Sequence, residues 1–349
     1  MRLVEVQYGF DELRDWHRAV LDADTGSLVG SGVQQSRNRL RLLVASDGDV
    51  AAVWALTAAM GIPSDAVVVE VAGEPVTEQS SLESSFDPVP GGVFFTDPER
   101  SGGCTIGYNL VVDGTRNKFI TNSHCTEVFG GTDPFHYVYQ PNTFSSANLL
   151  AFETLDRPFS SNVPGCPRGS LCRTSDAAIF QYSSQSTKEP EYAVARPRRL
   201  NDPTRTRDDI DQANPRFIVR GVLTPFEGDI VMTVGQQTGW RSGQVTEDEQ
   251  TVKGPGRLSS AYVLLRQVEA TYTSTDGDSG GPVFVAIASS GASGPNNGTT
   301  TDVSRGVFPV GIHVGSYTLS NGATRRYFSA LDEAFDELLG GRDVNTIQF

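Results

Sequence analysis

Gly277-Asp278-Ser279-Gly280-Gly281-Pro282 is the stretch on which the reading of this chain turns. A serine hydroxyl is a weak nucleophile and needs an adjacent base. It also needs a tight turn, so that backbone N–H groups converge on the charge that develops during attack. Glycines on both sides of Ser279 permit such a turn. The same residue types suit a plain surface turn, so the stretch has to be weighed with what surrounds it.

Upstream, Phe119-Ile120-Thr121-Asn122-Ser123-His124-Cys125 carries an apolar strand into small residues and then a histidine beside a cysteine. Cys104 lies one hairpin earlier and is the expected disulfide partner of Cys125; that bond would fix the backbone at His124. Between histidine and serine, Ser175-Asp176-Ala177-Ala178-Ile179-Phe180 leads an acid directly into an apolar strand. A carboxylate there can be buried against the imidazole and hold its tautomer. The competing acid is Asp156, in Leu155-Asp156-Arg157-Pro158, but Arg157 and Pro158 read as a turn. Asp176 is therefore the preferred partner of His124.

With these three segments in the order His, Asp, Ser, the chain resembles the chymotrypsin-like serine proteases, and within them the bacterial secreted, streptogrisin-like branch. Gly239-Trp240-Arg241-Ser242-Gly243-Gln244-Val245 resembles a further segment of that branch, and the likeness covers about residues 92–339. It implies a catalytic triad of His124, Asp176 and Ser279, with the N–H groups of Gly277 and Ser279 as the oxyanion hole. It implies peptide-bond hydrolysis through an acyl-enzyme, with protein or peptide substrates as partners and no cofactor. Cys166 and Cys172 would close a short loop ahead of Asp176. A catalytically inactive protease-fold binding protein is the alternative reading. The branch also suggests an internal arginine as the partner of Asp278.

Specificity reads less directly. The base of the primary pocket is expected six residues before the nucleophile, at Thr273, with Ser274 beside it and Gly311-Ile312-His313-Val314-Gly315-Ser316 as the facing wall. Thr273 is not an acid, which disfavours cleavage after Lys or Arg. His313 with Ser274 and Gly315 resembles the glutamyl endopeptidases, although Asp276 and the overall charge would repel an acidic side chain. A packed core histidine is the other reading of His313.

Composition sets the outer limits. A net charge of −14 argues against nucleic acid, whose phosphates need clustered Lys and Arg. The one basic run, Arg196, Arg198, Arg199, Arg205 and Arg207, is broken by Pro and Asp and reads as a solvated loop. Four cysteines at uneven spacing fit two disulfides in an oxidising compartment. Free thiols or a zinc site are the other options, but no Cys-x-x-Cys pair exists and no metal site is expected. No signal peptide is visible and no apolar run is long enough to span a bilayer, so a secreted location is an expectation drawn from the cysteines. The Asn297-Gly298-Thr299 sequon reads as an idle match within a low-complexity loop.

The whole is expected to be mainly β: a chymotrypsin-like double β-barrel with a C-terminal helix carrying Leu331, Phe335, Leu338 and Leu339, over residues 86–349. Residues 1–85 read as a small α+β module. Phe10, Leu13, Trp16, Val20 and Leu21 lie on one helical face, strands run at 39–44 and 67–71, and a second helix spans Val50 to Met60. Residues 73–92, rich in Ser, Pro, Gly and acid, read as the linker. By position and topology the module resembles a propeptide, which implies a zymogen and an intramolecular chaperone or inhibitor.

Overall fold

The computed structural model describes residues 6–24, 26–71, 81–98, 102–112, 114–143, 145–202, 210–254, 258–286 and 301–340. The Asn297 sequon, residues 73–80 of the expected linker, and Arg205 and Arg207 of the basic run lie outside them. The chain divides into two compact units, Met1–Glu78 and Gln79–Phe349.

The smaller unit packs helices Phe10–Ala23 and Asp47–Ala59 on a three-stranded sheet of Leu28–Gln34, Arg39–Val44 and Val67–Val71. The last two strands run parallel and the helix 47–59 connects them. Val20, Leu40, Leu42, Val44, Val53 and Val67 form its core. Strand 28–34 was not expected: its sequence LVGSGVQ breaks the apolar alternation with two glycines, and every position is only half-buried. Phe10 and Leu21, expected on the buried face, are each 49% exposed. The buried face of that helix centres on Leu13 and Val20 instead.

The larger unit is a chymotrypsin-like double β-barrel with a C-terminal helix. The first seven-stranded sheet runs, in spatial order, through Gly102–Thr105, Phe94–Asp97, Tyr137–Tyr139, Leu149–Asp156, Ala178–Tyr182, Thr115–Thr121 and Tyr108–Val112. Its two edge strands are consecutive in the chain. Residues 102–112 are interrupted at Ile106-Gly107, so 102–105 pairs with 94–97 while 108–112 pairs with 115–121. One bent stretch thus curls the sheet back on itself. The stacked rings of Phe119 and Phe180, 5.3 Å apart, fill its interior with Phe95.

The second sheet runs through Leu171–Arg173, Tyr262–Ala270, Gly239–Lys253, Ile230–Gly235, Pro282–Ala286, Val307–Thr318 and Thr324–Ala330. It closes directly, because 262–270 also pairs with 324–330. Inside are Val231, Val245, Val268, Tyr272, Val283, Val310 and Phe328. Helix Leu331–Leu339 buries Leu331, Ala334, Phe335 and Leu338, and Gly340 ends it in a left-handed conformation.

Two expectations need correction here. From Ser81 onward the presumed linker belongs to the larger unit. Leu82 is fully buried, Phe86 nearly so, and Val89–Gly91 forms a small sheet with Pro190–Ala195 and Arg216–Ile218. Polar composition hid three apolar anchors. In the basic run Arg198 and Arg199 are exposed as expected, and only Arg196 departs from that reading, lying over the rings of Phe217 and Trp240. Among the described residues no helix is long and apolar enough to cross a membrane.

Candidate active site

Strand 115–121 pairs antiparallel with 178–182, Thr121 opposite Ala178. Continued by two residues, that register sets Asp176 opposite Ser123 and brings the histidine and aspartate segments side by side. The backbone seals this, as Ser123 N and Asn122 Nδ2 both donate to Asp176 O, at 3.3 and 2.8 Å. The Asp176 carboxylate is fully buried and spends both oxygens on one residue. Oδ1 accepts from His124 N at 2.9 Å, and Oδ2 lies 2.5 Å from His124 Nδ1. Burial alone would raise the pKa of this carboxyl. The charge of His124, the two hydrogen bonds to it and the charge of Arg173 outweigh burial and hold the pKa below the usual range. Asp176 N donates to Ser329 Oγ at 2.9 Å, and Ser329 Oγ donates to Gln267 Oε1.

A buried network beneath this pair was not expected. Arg173 is fully buried. Its Nη1 donates to Asp156 Oδ1 at 2.6 Å and to Ser123 Oγ at 3.0 Å, its Nη2 to Ala177 O at 2.8 Å and its Nε to Glu337 Oε1 at 3.2 Å. Asp156 also accepts from Ser123 Oγ, at 2.6 Å. Asp156 is therefore no exposed turn acid. It ends strand 149–156 as a buried carboxylate and touches the neighbour of His124 rather than its ring.

Ser279 comes from the other barrel. Gly277 has φ of +99°, and a Cβ there would lie 2.3 Å from Gln236 Nε2; at Gly280, φ +83°, it would lie 2.1 Å from Thr121 Oγ1. Only glycine fits either place. Thr105 ties the turn to the first barrel: its N donates to Ser279 O at 2.8 Å and its Oγ1 to Gly277 O at 2.8 Å. Among the described residues, neither the Gly277 nor the Ser279 N–H has an acceptor within the protein.

An internal arginine is one possibility for the partner of Asp278; among the described residues no arginine lies within ion-pair distance of it, and local donors hold it instead. Its carboxylate accepts from Thr275 N, Gln237 N, Thr238 N and Thr238 Oγ1 at 2.7–3.1 Å. Burial exceeds these bonds and raises its pKa. Four local donors satisfy the carboxylate, so no distant cation is needed to anchor the turn.

His124, Asp176 and Ser279 line one cavity of about 640 Å³, together with residues 250–254, 274–276 and 313–317 and Tyr327. Ser274, His313 and Gly315 are thus brought to it. Thr273 is not among the lining residues. It is exposed, because the side chain of Tyr272 points into the second barrel and the alternation turns Thr273 outward. His313 Nδ1 lies 2.9 Å from the hydroxyl of Tyr272. Burial, aided by the charges of His124 and Arg326, holds the pKa of His313 down at about 3, so the ring is neutral at pH 7. The disulfides pair Cys104 with Cys125 and Cys166 with Cys172. Among the described residues, the one group with metal-ligand proximity is Cys104, His124 and Cys125, and its two sulfurs are already bonded to each other.

No signal in the sequence marks Arg173, Ser329, Glu337 or the 250–254 wall. Arg173 stands three residues before Asp176, but nothing in its type or spacing marks it as buried; the others lie far from the motifs in the chain and reach the site through the second barrel and the terminal helix.

No family model matches the chain, and no curated protein matches it. Several solved structures do. A glutamic acid specific serine protease, described as using a novel histidine triad in substrate binding, is 20% identical, covers 71% of this chain and 96% of its own, and has a TM-score of 0.45. A Nocardiopsis protease is 17% identical, with coverages of 74% and 97% and a TM-score of 0.45. Thermobifida fusca Protease A is 18% identical, with coverages of 72% and 97% and a TM-score of 0.44. Likeness this distant carries no chemistry, and the roles of residues rest on the geometry of the site itself.

Proposed function

We propose that the larger unit is a serine endopeptidase that cleaves peptide bonds with Ser279 as nucleophile, His124 as base and Asp176 as the group that orients the base. The observation that carries this reading is the fully buried Asp176 bound through both oxygens to His124, in one cavity with Ser279. Asp176 on Nδ1 leaves Nε2 as the base toward the cavity. Ser279 Oγ adds to the scissile carbonyl while its proton passes to His124. The carbonyl oxygen, now an anion, takes the unspent N–H groups of Gly277 and Ser279. As the C–N bond breaks, His124 returns the proton to the leaving amine. Water then hydrolyses the acyl-enzyme with the same base.

Two disulfides suit an oxidising compartment, which supports a secreted location. For residues 1–78, a role as intramolecular chaperone or inhibitor belongs to the same proposal. Its support is the loose topological likeness to propeptides and the separate core of that unit.

The test is labelling of the full-length chain with a fluorophosphonate, followed by peptide mapping. Label on Ser279, absent from Ser279→Ala, is the expected result. Failure to label the full-length chain, and again after residues 1–78 are cut away, would sink the enzymatic reading in favour of an inactive binding protein. Label appearing only after the cut would identify the smaller unit as the inhibitor.

A further inference from the structure

Strand 324–330 carries two adjacent arginines with different surroundings. Arg325 Nε lies 3.3 Å from Glu269 Oε1, an ordinary ion pair. Arg326 points to the opposite face of the strand. Its Nε donates to Ser274 Oγ, its Nη2 to Ser274 O and its Nη1 to Thr324 O, each at 3.4 Å. Among the described residues no carboxylate lies within ion-pair distance of Arg326. Asp278, a buried acid whose charge acts on it, is fully engaged with four other donors. A half-buried guanidinium held only by neutral oxygens keeps most of its capacity for a carboxylate.

We propose that Arg326 is the specificity-determining cation of the cavity: through Ser274 it makes the wall beside Ser279 a site for an acidic peptide side chain. The hydrogen-bond directions agree. Ser274 Oγ accepts from Arg326, which frees its own hydrogen for the cavity it lines. Neutral His313 has one ring hydrogen. Tyr272, buried and without another acceptor among the described residues, donates to Nδ1, and this places that hydrogen on Nε2. The wall thus holds two donors, with the positive charge behind one of them. Arg326, not His313, supplies the charge. Of the other charged groups at the cavity, buried Asp176 is engaged through both oxygens with His124, and Lys253 and Asp276 are exposed, where water and salt screen them.

This inference takes the cavity as the peptide cleft, so its test is a binding measurement that needs no turnover. Full-length Ser279→Ala is titrated with two acetylated peptides that end in Glu or in Gln and are otherwise identical. The Glu peptide is expected to bind about ten-fold tighter or more, the worth of one charge-assisted contact. In Ser279→Ala with Arg326→Gln the two affinities should fall within about two-fold of each other, and Arg326→Lys should restore part of the preference. Because each variant is judged by a ratio measured on itself, partial loss of folded protein cancels. Equal binding or no binding of the pair to Ser279→Ala overturns the inference, as does a preference that survives Arg326→Gln. Fluorophosphonate labelling of the parent chain reports the enzymatic reading separately.

Discussion

Replacing Arg173 by Met is the perturbation with the largest expected consequence away from the cavity. Met fills much of the volume but removes the charge and four donor contacts. Asp156 and Glu337 are left without their cation, and Ala177 O loses its donor. Asp156 is the costly one, because burial already raises its pKa and the charge of Arg173 is the largest opposing influence. Breaking a buried pair from one side costs about 3–5 kcal/mol. At about 2–4 °C per kcal/mol for a unit of this size, the melting temperature of the larger unit should fall by roughly 6–20 °C. Differential scanning calorimetry of the full-length chain at pH 7 reads this directly. Adding Asp156→Leu should recover part of the loss, since an apolar pair leaves no buried charge behind. Asp176→Asn, by contrast, should remove fluorophosphonate labelling by about three to four orders of magnitude in rate while changing the melt far less. A fall below about 3 °C for Arg173→Met, or a double variant no more stable than the single one, would refute the assignment of the network as a supporting ion cluster.

Two further outcomes follow from single sites. Gly280→Ala sets a Cβ against Thr121 Oγ1 at a left-handed backbone position, so labelling of Ser279 should be lost even in protein that remains folded by circular dichroism. His136 is buried between Asp97 Oδ2 at 3.2 Å and Glu153 Oε2 at 3.5 Å. Burial opposes its charge, but the two carboxylates prevail and raise its pKa from 6.5 to about 9. A raised histidine contributes stability in full below its unfolded value of 6.5 and loses it as pH rises through about 9. The larger unit should therefore lose on the order of 3 kcal/mol between pH 6.5 and 9, measured by urea melts, and His136→Gln should flatten that slope.

What could be read from the sequence was the set of candidate residues marked by local context. Ser279 announces itself because glycines must flank it, and His124 because a strand, small residues and a cysteine meet there. Asp176 could be preferred over Asp156, but for an incomplete reason. Both acids are buried, and what separates them is the partner each carboxylate reaches, His124 for Asp176 and Ser123 for Asp156, which depends on how the strands meet in space. Thr273 was misplaced by one residue because side chains alternate along an extended segment, so a one-step error exchanges inside for outside. Arg326 had no signal at all. Two adjacent arginines look alike in one dimension, and only pairing with Ser316 on one side and Ala270 on the other sends one to Glu269 and its neighbour to Ser274 in the cavity wall. The presumed linker failed for the opposite reason: its polar majority masked Leu82, Phe86 and Val89, which the core needed.

The hydrogen bonds from Asp176 to Ser329 and from Ser175 to Glu337 have a consequence in time. A ribosome delivers His124 and Asp176 long before Ser279, and the residues that steady the acid come later still. A nascent or broken chain ending before residue 329 holds His124, Asp176 and Ser279 without the contacts that align the acid. Under the proposed function, hydrolytic competence is therefore withheld until the last barrel strand and the terminal helix are synthesised and docked, and an incomplete product of translation is born harmless to its surroundings.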